Sequence, residues 1–170
     1  MNNLLNKAFS PAKLGNLELR NRIIKAATFE GKTPGGIPGD ALRHFHKQLC
    51  KGGIGMTTLA YCATEADGRI NNKMMYMGDH IRPQLTDIIS DLKSTGAKVS
   101  GQMVHCGHFS KNTDLQRLKR PKGPSPMFSG IGLTAGMPWT DGMTEKDIDY
   151  LVDTYYNAAL FMKEVGFDAI

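Results

Sequence analysis

The chain has 170 residues, 41% hydrophobic and 22% charged, with a formal net charge of +5. That length allows one domain with a real core, and no apolar run approaches the ~18 residues of a membrane span. The basic run RLKRPK at 117–122 belongs to a loop without aromatic neighbours or a nucleic-acid motif, so nucleic acid is not an expected partner.

The N-terminal MNNLLNKAFSPAKLGN lacks the basic start and apolar middle of a secretory signal, which makes the cytoplasm the expected location. In chain order, LGNLELRN at 14–21 reads as a small hairpin turning at Gly15-Asn16, followed by a strand, RIIKAA, at 22–27. Leu42, Phe45 and Leu49 then mark a helix with Asp40 as its expected N-cap, stopped by Gly52-Gly53. A second strand is GMTTLAY at 55–61. Ile81, Leu85, Ile88, Ile89 and Leu92 form the stripe of a second helix, and AKVSGQM at 97–103 is the third strand. The third helix starts at Thr144 with a capping-box variant in which Asp147 is the third helical residue. Its expected buried face is Ile148, Leu151, Val152, Tyr155, Ala159, Met162 and Val165, and FDAI at 167–170 is a fourth strand.

Strands alternating with helices predict an α/β fold with a parallel sheet. The helix-to-strand connections are brief, whereas the strand-to-helix loops at 28–39, 62–80 and 104–143 are long. Long loops in compact domains usually have a task, and in parallel α/β proteins the carboxyl ends of the strands carry the site. About four parallel strands and three helices, plus the hairpin, make the first half of a (β/α)8 TIM barrel. An open half-barrel predicts self-association or a complementary C-terminal half as partner.

The stretch GQMVHCGH at 101–108 lies on that carboxyl edge. A metal site built from His105, Cys106 and His108, with His44 or His46, lacks any zinc-ligand spacing, so no metal is expected. Cys106 and His105 are adjacent on an extended segment, which opposes a nucleophile pair. Cys50, Cys62 and Cys106, odd in number and without CxxC spacing, suit reduced thiols. Two readings stay open for Gln102 and His105: they satisfy buried polar groups, or they border a planar cofactor. The second gains from the small residues Ala26, Ala27 and Thr28 at the end of the first strand, and from Ala60 and Tyr61 at the end of the second. No GxGxxG or GxxxxGK[ST] phosphate loop is present.

Five segments in order, FSPAKLGNLELRNRIIKAAT (9–28), GGIGMTTLAYCATEADGR (52–69), GAKVSGQMVHCGH (96–108), GPSP (123–126) and MTEKDIDYLVDTYYNAALFMKEVGFDAI (143–170), resemble the old yellow enzyme family. The branch that includes 2,4-dienoyl-CoA reductase-like enzymes is the nearest in pattern. The resemblance implies a TIM barrel holding FMN across the carboxyl ends of its strands, with NAD(P)H as reductant and an activated alkene or similar small molecule as acceptor. It implies cofactor-binding roles for Ala26, Ala27, Thr28, Ala60, Tyr61 and Gln102. Tyr61 stands where the family often has alanine, and His108 where its HxGR pattern has arginine. The family's substrate-anchoring pair, proton-donating tyrosine and FMN-phosphate loops follow the segment that resembles this chain. The expectation is therefore an N-terminal half that is inactive alone, with its catalytic residues unnamed. The alternative is a non-catalytic half-barrel that self-associates or docks a complement.

Overall fold

A two-residue turn at Gly15-Asn16 shapes the first feature of the computed structural model, which describes residues 3–170. Helix α1 (Asn3–Ala8) leads into β1 (Ala12–Leu14), which pairs antiparallel with β2 (Leu17–Leu19). Gly15 has φ 57°, the left-handed conformation such a turn demands.

The central sheet is parallel, in the order β3 (Ile24–Lys25), β4 (Met56–Ala63), β5 (Lys98–Val104). The chain returns beside β5 at its end. There Asp168 N–H donates to the Val99 carbonyl at 2.8 Å, and Gly101 N–H donates to that of Ala169 at 3.1 Å. Helices α2 (Asp40–Lys51) and α3 (Arg82–Lys93) make the first two crossovers. The expected loop between β5 and the third crossover is instead built up: β6 (Lys122–Gly123), β7 (Met127–Phe128), α4 (Gly130–Leu133) and β8 (Trp139–Gly142) form a small unit with β8 central. Helix α5 (Glu145–Glu164) closes the repeat, its capping box formed between Thr144 and Asp147. This is a partial TIM barrel.

Four local expectations are corrected. The first strand pairs over Ile24–Lys25 alone, because the chain leaves β4 at Ala26. FDAI makes an isolated bridge from Ala169 to Ser100 and no strand. Asp40 is the first residue of α2 and Gly39 its N-cap, so the carboxylate faces the helix dipole without capping. On α5, Ile148 and Val152 are exposed, whereas Thr154, Ala158 and Phe161 are buried with Met162 and Val165. The stripe is rotated because α5 packs on β5 through its C-terminal half.

The helices cover one face of the sheet only. Side chains alternate along a strand; Leu59 and Val99 point to the helices and join Leu85, Ile88, Leu92 and Met162 in one buried cluster. Gly101 lets α5 approach: a Cβ there would lie 2.0 Å from Met162 Cε. At the amino ends, Arg20 donates to the carbonyls of Cys50, Ile54 and Thr95 at 2.6, 2.9 and 2.8 Å, tying both helix-to-strand turns to the hairpin. The opposite face, lined by Ile24, Thr58, Ser100, Gln102 and Ala169, carries no helix. Ile24 is 41% exposed there.

Candidate functional site

The β3 strand leaves its neighbour after the Lys25–Thr57 pair, and the first run of β4–β5 pairs ends at Leu59–Gly101 before pairing resumes at Cys62–Met103. Ala26, Ala27 and Thr28 therefore follow the end of β3, and Gln102 lies at the break in the β4–β5 ladder. Ala26, Thr28 and Gln102 are exposed, and Ala27 is half-buried. The N–H groups of Ala27 and Thr28 and the side-chain amide of Gln102 form no hydrogen bond among the described residues. The result is a shelf of free donors and one amide on the bare face.

Between them the β4–β5 register shifts from Leu59 to Cys62, so Ala60 and Tyr61 form a bulge. Tyr61 has φ 55°, the sole positive value at a non-glycine among the described residues. Such backbone persists when the surroundings impose it, and it collects at functional sites. Ala60 is buried under the bulge, while the half-buried Tyr61 ring meets Phe29 at 5.0 Å between centroids, tilted by 43°. Phe29 was not among the expected site residues; an aromatic directly after the small run Ala26-Ala27-Thr28 was the available signal.

His105 turns away from the shelf. Its Nδ1 accepts the Gly107 N–H at 3.3 Å, so the proton lies on Nε2, 3.1 Å from Glu65 Oε1. Tyr150 O–H donates to Glu65 Oε2 at 2.9 Å, and the Arg117 guanidinium lies over the Tyr150 ring at 4.1 Å. Burial opposes ionisation of Glu65, but the bonds from His105 and Tyr150 and the charge of Arg117 outweigh it and hold its pKa below the usual range. His108 packs against Phe109, with ring centroids 4.2 Å apart and tilted by 35°. GQMVHCGH thus splits: Gln102 belongs to the shelf, and His105 satisfies a polar network that ties β5 to α5. That network borders a separate cleft of ≈320 Å³ between α5 and residues 64–77. Glu65 and His105 stand 40 residues apart, and nothing local in the sequence marks them as partners.

Burial raises the Cys62 thiol to about 12 and that of Cys106 to about 11, which leaves neither as a nucleophile near neutral pH. The shelf's donor set suits a flat heterocycle with carbonyls and ring nitrogens at its edge: two backbone N–H groups and an amide that both donates and accepts.

The model of the NADH:flavin oxidoreductase / NADH oxidase family matches residues 7–170. The chain is 37% identical over 162 residues to 4,4'-dithiodibutanoate disulfide reductase of Rhodococcus erythropolis, covering 95% of this chain and 39% of that protein. It is 27% identical to an NADPH dehydrogenase of Bacillus cytotoxicus, covering 95% and 45% respectively. In structure it matches Old Yellow Enzyme from Pichia sp. AKU4542 with a TM-score of 0.83 at 20% identity, covering 95% of this chain and 44% of that one. The chain spans less than half the length of these three proteins.

Proposed function

The chain belongs to the NADH:flavin oxidoreductase / NADH oxidase family, and from that premise we propose that it is the flavin-facing, N-terminal half of an FMN-dependent oxidoreductase barrel. On this reading NAD(P)H is the reductant and an activated alkene or comparable small molecule the acceptor. The relative from Rhodococcus erythropolis bears a disulfide substrate in its name, so disulfides belong among the acceptors to be tried. FMN, when bound, supplies the hydride transfer. The protein's part is to hold and orient: Ala27 and Thr28 offer backbone N–H groups, Ala26 leaves room for a ring, Gln102 meets its polar edge, and the Ala60–Tyr61 bulge borders it. The observation that carries the reading is the pair of free N–H groups after β3 together with the exposed, unbonded amide of Gln102 on β5, across β4 from them.

Fusing residues 1–170 to the remaining C-terminal part of the Rhodococcus relative tests it. The fusion should purify yellow, with stoichiometric FMN, and oxidise NAD(P)H. A folded fusion that takes up no flavin sinks the proposal. The 170 residues alone should hold FMN far more weakly, because the resemblance puts the phosphate-binding loops outside them. Each charge-assisted bond to phosphate is commonly worth about 1.5–3 kcal/mol.

The exposed Ile24 and Ile170 favour a second reading, a non-catalytic half-barrel that self-associates or docks a complement. Both readings leave apolar surface exposed on the isolated chain. Light scattering over a concentration series should then show dimers or larger species. A compact monomer at high micromolar concentration, with cooperative unfolding, contradicts the association.

A further inference from the structure

Beneath the shelf lies a polar cluster that flavin binding does not by itself explain. Lys25, the last residue of β3, donates from Nζ to Glu30 Oε1 at 2.5 Å and to the Thr58 carbonyl at 3.3 Å. The Lys25 side chain is 14% exposed and that of Glu30 6%, so this is a buried ion pair. His46 of α2 is fully buried; its Nδ1 lies 2.7 Å from Thr57 Oγ1, and its Nε2 lies 3.5 Å from Glu30 Oε1 without a hydrogen-bond partner. The Lys25 ammonium also sits 5.6 Å from the centre of the Phe45 ring. The cluster therefore joins β3, β4 and α2 on the helix side of the sheet.

Its place in the chain gives it a use. Lys25 and Glu30 bracket Ala26-Ala27-Thr28-Phe29, the segment that carries the free N–H groups and the ring against Tyr61. No sheet or helix pairing holds these four residues, since β3 ends at Lys25. A short segment with unpaired amides presents a fixed donor set only if its ends are fixed. We propose that the buried Lys25–Glu30 pair is a staple that fixes the geometry of Ala26–Phe29, making Lys25 and Glu30 positioning residues for the cofactor. The inference rests on the flavin reading of the shelf. It adds residues that touch no flavin and lie one layer beneath it.

Backbone 15N order parameters of the full chain, recorded without flavin, test the staple. Ala27, Thr28 and Phe29 should read about 0.85 in the unmutated protein and fall below about 0.6 in Glu30→Gln, while α3 stays unchanged. If Glu30→Gln does not fold, the double variant Lys25→Met/Glu30→Met removes both charges together and should show the same local loss. Lys25→Arg keeps the charge and should retain most of the order. Lowered thermal stability with unchanged order at 27–29 means a merely structural pair and overturns the proposal. Millimolar FMN, followed by amide shifts, separates this from the flavin reading. Shifts at Ala27 and Thr28 in the unmutated chain, weakened at least tenfold in affinity in the variant, support both. Lost order with no response to FMN in the unmutated chain leaves the staple standing and overturns its role in cofactor binding.

Discussion

The two faces of the central sheet are built by opposite rules. The helix side is closed and, apart from the Lys25–Glu30–His46 cluster, apolar: Leu59 and Val99 are fully buried there, and Gly101 is bare so that Met162 and Phe167 can press on the strand. The other side is open and mixed, with Thr58 and Ser100 sharing a 2.7 Å hydrogen bond and Ile24 and Gln102 exposed. Buried apolar packing is concentrated on the first face, and the proposed cofactor shelf lies on the second. Mutations should therefore separate the two.

The sharpest contrast is in packing. Leu59→Ala should lower the unfolding free energy by about 2–5 kcal/mol, and Ile24→Ala by less than about 1 kcal/mol because its side chain already meets solvent. Urea titrations of both variants measure the difference; equal losses would mean that the bare face is as well packed as the covered one.

Next in size is an effect on binding alone. In the flavin-loaded fusion, Gln102→Leu should weaken FMN by about 1–3 kcal/mol, or roughly 5- to 150-fold, since polar ring atoms lose their partner. With flavin removed from both, its urea midpoint should match that of the unmutated fusion. A titration that superimposes on the unmutated one removes Gln102 from the site.

The smallest effect is graded by pH and belongs to the covered face. Burial, aided by the charge of Lys25, pushes the His46 imidazole down to about 3. In the unfolded chain it titrates near 6.5. The unfolded state then takes up the proton first, so this contribution is complete above pH ~6.5. It falls at up to about 1.4 kcal/mol per pH unit as the pH drops toward the folded value. His46→Gln should flatten the stability profile between pH 7 and 5. An unaltered slope would show that His46 is protonated without cost in the folded protein.

The parts of the molecule legible in the sequence are those governed by local rules. The stripe of α3 and the capping box at Thr144 follow from spacing and side-chain chemistry within a few residues. The hairpin turn at Gly15-Asn16 was legible for the same reason. Strand ends were less so, because pairing depends on a neighbour: RIIKAA has the composition of a strand, yet the ladder ends at Lys25. The face of α5 was rotated because Gly101, on a different element, decides where the helix can approach. At the site, Ala26, Ala27, Thr28 and Gln102 stood out as small or amide residues at strand ends. Glu30 did not, since its partners Lys25 and His46 lie on two other elements and meet it only in the fold.

Tyr61 carries a consequence for anyone who would engineer this protein. Its left-handed backbone suits glycine, which bears no steric penalty there. A library selected for heat resistance alone would drift toward glycine at position 61 and discard the ring that meets Phe29. A library selected for turnover would resist that drift if the ring serves the site. The two selections would part company first at this residue, and their disagreement would map the border between scaffold and machinery.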